Sequence, residues 1–97
     1  MEPSQLLKPG KFLLSNVQFK KEDALNTMYE QNERLTKLQD AMRLGNLHKH
    51  KVKIYFMNAA DQLVAIKAKV LTVTEKYVIL KNSIMIPIRS IRDVSFI

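Results

Sequence analysis

From Val52 to the end of the chain the apolar residues recur at every second position, whereas before Gly45 they recur at helical spacing. This change of period most constrains what the chain can fold into. In KVKIYFMN, Val52, Ile54 and Phe56 alternate with Lys51, Lys53 and Tyr55. In LVAIKAKVLTV, Val64, Ile66, Ala68 and Val70 alternate with Ala65, Lys67, Lys69 and Leu71. Polar turns at Asn58–Asp61, Thr74–Lys76 and Lys81–Ser83 separate these runs from YVIL and IMIPI, and a corner at Ser90–Arg92 precedes the last run, DVSFI. Period-two segments with turns this short predict five antiparallel strands, the second long enough to bend. Such strands close a small barrel of the SH3-like or OB-like kind. Pro87 donates no N–H, so its strand is expected at an edge or a bulge.

Residues 21–46 predict one long helix. No Pro interrupts them, good helix formers dominate, and Gly45 suits a left-handed stop. Its start is expected near Lys20, with Ser15-x-x-Gln18 as a second candidate cap. Leu25, Met28, Leu35, Leu38 and Met42 form one stripe, interrupted by Gln31 and Asn32. That stripe is expected to pack on the barrel mouth or to dock a partner or second subunit. Residues 1–20 form a tail with a turn at Lys8-Pro9-Gly10-Lys11, flanked by Leu6, Leu7, Phe12, Leu13 and Leu14. The expected organisation is a tail over 1–20, a helix over 21–46 and a barrel over 47–97, an α+β chain that is mostly β.

Charge is uneven along the chain. Residues 1–47 hold seven Lys or Arg and six acids, and residues 48–97 hold nine against three, so +6 of the net +7 lies in the barrel half. Basic charge gathered on one module points to a polyanion, RNA before DNA. The plainer alternative is solubility alone. On the sheet, Lys51, Lys53, Lys67 and Lys69 share outward parity with Tyr55. Cations beside an aromatic suit single-stranded nucleic acid, by phosphate neutralisation and base stacking. The competing reading is a solvated face whose lysines blunt aggregation. Arg89 and Arg92 flank the last corner; either they grip phosphate, or they pair with Asp93 or a helix acid.

The remaining chemistry is sparse. There is no Cys, which excludes a disulfide framework, a thiolate zinc site and a thiol nucleophile. Two glycines in all exclude a Gly-rich phosphate loop. His48-x-His50 offers two metal ligands without a third, and exposed linker histidines explain it better. No nucleophile elbow or carboxylate pair is present. The expectation is a non-enzyme with no cofactor, no metal and no small-molecule substrate. No apolar run is long enough for a signal peptide or membrane span, and a cytoplasmic homo-oligomer, dimer or ring, is expected.

Over about residues 41–97 the chain resembles the Sm-like (LSm and Hfq-like) superfamily of small RNA-binding barrels. Ala41-Met42-Arg43 is similar to the family's helix end, and VKIYFMN (52–58) to its first strand and turn. YVILKN (77–82) is similar to its apolar strand ending in Lys-Asn, and IRSIRDV (88–94) to its last corner. LVAIKAKV lacks the glycine that family carries early in the bent strand. The family's basic RNA-contacting triplet falls on Pro87-Ile88-Arg89, where Arg89 alone is cationic, and its stacking aromatic falls on Lys76. The resemblance implies a barrel that binds RNA without catalysis and assembles through its fourth and fifth strands.

Overall fold

The change of period at Val52 is the boundary between helix and sheet in the computed structural model of the protein, which describes residues 6–7, 18–81 and 84–97. The expected turn at Lys8–Lys11, the cap at Ser15, the apolar residues Phe12 to Leu14, and Asn82 and Ser83 lie outside the described residues. The elements are β1 (Leu6–Leu7), α1 (Met28–His48), β2 (Val52–Met57), β3 (Leu63–Ala68), β4 (Val70–Val73), β5 (Tyr77–Leu80), β6 (Ile84–Pro87), a short 3-10 turn (Ile88–Ser90) and β7 (Ile91–Phe96). The chain is α+β and mostly β. No helix among the described residues is long and apolar enough to cross a membrane.

The strands form two sheets, ordered β1-β3-β2-β7 and β4-β5-β6. All pairs are antiparallel except the two-residue β1, which runs parallel to β3. The expected second strand, residues 63–73, breaks at Lys69 into β3 and β4, one in each sheet. The five expected strands therefore become six, and no ladder among the described residues joins β6 to β7, so the expected five-stranded barrel is not closed by hydrogen bonds. The physical reason lies at Pro87. It ends β6, an edge strand as its missing N–H requires, and the chain then turns through Ile88–Ser90 instead of pairing. Ser90 Oγ fixes that turn by donating to Pro87 O at 2.8 Å.

Inward residues of both sheets meet in one core: Ile54, Phe56, Val64 and Ile66 from the first, Val70, Val78, Leu80 and Ile86 from the second, with Ile91 and Val94 from β7. Alternation fails on β3, where Leu63 and Ala65 are buried beside inward Val64 and Ile66. β3 carries neighbours on both edges, and small Ala65 faces large Tyr55 across the ladder.

The helix lies across β4 and β7 and differs from expectation at both ends. It starts at Met28, not near Lys20. Asp23 Oδ1 accepts the Leu25 N–H at 2.8 Å, and Ala24 N–H donates to Arg89 O at 2.8 Å, so this backbone bonds elsewhere before a helical turn can form. Thr27 is the true cap, its hydroxyl accepting from Glu30 N–H at 3.1 Å. Residues 18–27 instead strap the sheet. Lys20 N–H donates to Met57 O, Ala59 N–H donates to Gln18 O, and the Phe19 ring lies 5.3 Å from Phe56.

At the other end the helix runs through Gly45 and stops at Lys49, which takes the left-handed conformation (φ 55°). The buried helix face is Arg34, Leu38, Ala41 and Gly45. A Cβ on Gly45 would lie 2.5 Å from Val70 O, so this glycine is the point where the helix backbone touches the strand bend. Of the expected stripe, Leu38 is buried, Leu25 and Met42 are half-buried, and Met28 and Leu35 are exposed at 76% and 39%.

A Gly45→Ala substitution separates these two roles. In a free helix it gains about 1 kcal/mol. Here the clash with Val70 O dominates, and urea unfolding is expected to show a loss of about 1–3 kcal/mol.

Candidate nucleic-acid interface

Register places Lys53 and Lys67 on the outer face of the first sheet. Lys53 lies directly opposite Lys67 on β3 and opposite Ser95 on β7. Tyr55, the next outward residue, lies opposite Ala65 and Asp93. Like charges directly opposed destabilise a ladder. Among the described residues neither Lys53 nor Lys67 makes an ion pair, and the same holds for Lys51, Lys69, Lys81 and Arg92. The Lys53 ammonium lies 5.6 Å from the centre of the Tyr55 ring, within cation–π range. Beside Tyr55 a shallow cleft of about 330 Å³ is lined by Leu63, Arg92, Asp93 and Ser95. The face therefore carries phosphate-seeking charge next to an aromatic.

Lys51 is exposed immediately before β2, and Lys69 is half-buried at the strand bend, its stem against Gly45. Lys81 joins it there, donating its backbone N–H to Lys69 O at 3.0 Å. Lys81 sits in a turn after β5, as the sequence predicts. Its place beside Lys69 was missed, and carrying the pairing of β4 with β5 one residue past Leu80 would have found it.

Arg89 lies elsewhere. It lines a second cleft, of about 420 Å³, with Asp23, Arg34, Glu75, Lys76 and Tyr77, and none of the four face lysines is among that cleft's lining residues. The pairing of Arg89 or Arg92 with Asp93 is not seen. Asp93 accepts instead from Lys37 Nζ at 2.9 Å, which raises the Lys37 pKa above its usual value. His48 and His50 are exposed, their rings 6.3 Å apart, and no group of three or more His, Cys or acidic side chains able to hold a metal occurs among the described residues.

One cation is structural and was missed. Arg34, on the helix stripe's flank, is only 6% exposed. Nη1 and Nη2 donate to the two carboxylate oxygens of Asp23 at 2.8 and 2.9 Å, and Nη1 also donates to Ile91 O at 3.0 Å. The guanidinium thus joins strap, helix and β7. A helical period counts an Arg as a solvent residue, so only Arg34's place between Leu38 and the strap marked it.

No known protein family, curated protein or solved structure matches the chain.

The Arg34 pair makes stability depend on pH. Burial alone would raise the Asp23 pKa. The Arg34 hydrogen bonds, the Leu25 N–H and the Arg34 charge outweigh it and hold the carboxyl below its ordinary 3.8. A carboxyl depressed in the folded state contributes its full stability above the unfolded value and loses it as pH falls through the folded value. Thermal unfolding is expected to show a decline in stability below about pH 4 that Asp23→Asn flattens. The same substitution is expected to cost about 1–3 kcal/mol at neutral pH, by leaving buried donors of Arg34 poorly matched. An acid limb identical in both proteins would contradict this.

Proposed function

We propose that this protein is a non-catalytic binder of single-stranded RNA, and that the outer face of the β7-β2-β3 sheet is the contact surface. The observation that carries the reading is the opposed Lys53–Lys67 pair, held without a carboxylate partner among the described residues and with Tyr55 beside it. Like charges on directly opposed residues repel, and a phosphate between the two side chains relieves that repulsion. Lys51 and Lys69 extend the charge past the Val52–Ala68 end of the ladder, and the Tyr55 ring offers a stacking plane that accepts any base.

The reading includes a Sm-like ancestry for the barrel half. Its support is the order of parts: a helix first, a long strand bent at Lys69, and the first barrel strand, β2, lying between the bent strand and the last one. A second reading, self-association through the helix, is favoured by the exposure of Met28, Tyr29 and Leu35 on α1.

Fluorescence anisotropy with a short oligouridylate across a salt series tests the proposal. Four lysine–phosphate contacts give a slope of log K against log salt of about −3, and Lys67→Ala is expected to reduce it by about 0.7. Absence of binding at low salt, with a stable dimer that Leu35→Asp breaks, would replace the first reading with the second.

A further inference from the structure

The donor arithmetic of Arg34 leaves something over. A guanidinium has five N–H donors in a fixed fork geometry. Nη1 spends both of its hydrogens, on Asp23 Oδ1 and Ile91 O, and Nη2 spends one, on Asp23 Oδ2. Nε has no partner although it is buried. The two unused hydrogens, on Nε and Nη2, lie on the same side of the guanidinium. They form a second fork, pointing away from Asp23 and matched to two oxygens of one oxyanion. A buried donor left unmatched is costly, so this edge favours an acceptor.

Arg34 lines two clefts, and their charges differ. One sets three acids, Glu30, Glu33 and Asp93, against three cations, Arg34, Lys37 and Arg92, and has no net charge to draw an anion. The other, of about 420 Å³, adds Lys76 and Arg89 to Arg34. Its acids are Asp23, already engaged by Arg34, and Glu75. Backbone bonds hold its walls: Ile88 N–H donates to Lys76 O at 2.9 Å, and Ala24 N–H donates to Arg89 O at 2.8 Å. Neither Lys76 nor Arg89 makes an ion pair among the described residues.

We infer that this cleft is a phosphate site, in which the free edge of Arg34 takes two oxygens of a phosphate monoester and Lys76 and Arg89 take the remaining charge. Donors from three side chains call for three acceptor oxygens, which a phosphate monoester presents and a carboxylate does not. Tyr77 at the rim is placed to cover what the phosphate is attached to. The site is separate from the lysine face and does not rest on it. The phosphate comes either as the free anion or as the terminal group of a nucleotide or oligonucleotide.

The test follows the Arg34 Nε–H resonance in a proton–nitrogen correlation spectrum while inorganic phosphate is added, with calorimetry alongside. The resonance is expected to shift saturably, and Lys76→Ala or Arg89→Ala, at exposed positions that leave the Asp23 pair intact, each to weaken binding about tenfold. Lys53→Ala and Lys67→Ala are expected to leave it unchanged. A 5′-phosphorylated oligonucleotide that binds this site more tightly than free phosphate, while its 5′-hydroxyl counterpart does not, assigns the phosphate to a nucleic-acid end. Equal binding of free phosphate and the phosphorylated end assigns it to the free anion. An unmoved Arg34 resonance overturns the inference, as does binding that depends on Lys53 and Lys67 but not on Lys76 and Arg89.

Discussion

The buried pairing of Arg34 with Asp23 is the interaction on which the arrangement of this protein depends. A guanidinium at this depth is tolerable only when its charge is matched and most of its donors are used. Asp23 supplies the charge and Ile91 O a further acceptor, and those two partners come from the strap and the last strand. The pair therefore specifies where three separate pieces of chain meet, which apolar contacts alone do less sharply. Ala24 N–H to Arg89 O and Asp23 to Leu25 N–H are local consequences of the same placement.

From that clamp the rest follows in order. Asp23 keeps residues before Thr27 out of the helix, and the helix then enters with Leu38 and Ala41 toward the core. Gly45 lets the helix backbone close onto the strand bend at Val70. The bend divides the long strand between two sheets, and one of these turns its Lys53–Lys67 pair to solvent. Cations thus fall into different tasks. Arg34, Lys20 and Lys37 are tied to carboxylates and hold elements together. The lysines of the sheet face are tied to none among the described residues, and it is these that the proposed function uses.

Much of this was legible in the residues. The strands from Val52 on follow a period of two because each has one face in the core, so Ile54, Phe56, Val64 and Ile66 could be named as inward without coordinates. The Asn58 and Thr74 turns carry their own side-chain bonds, from Asn58 Oδ1 to Gln62 N–H and from Thr74 Oγ1 to Tyr77 N–H, and such turns announce themselves. The helix start carries a local signal, Thr27-x-x-Glu30, whereas the run through Gly45 to His48 does not show in the residues, because Gly45 is kept in the helix where its backbone meets Val70 O. The same holds for Arg89, whose grouping with Lys76 and not with the sheet lysines is set by the 3-10 turn. Parity along a strand shows which lysines share a face; it does not show which arginine shares it.

The division of labour among the cations is the central claim, and amide chemical-shift mapping with a 5′-hydroxyl oligouridylate tests it most directly. The account predicts that shifts concentrate on Lys53, Tyr55, Lys67 and Ser95, with Ala24 and the Arg34 side chain unmoved. Shifts centred on Met28 and Leu35 of the helix, or no shifts at low salt, would contradict it.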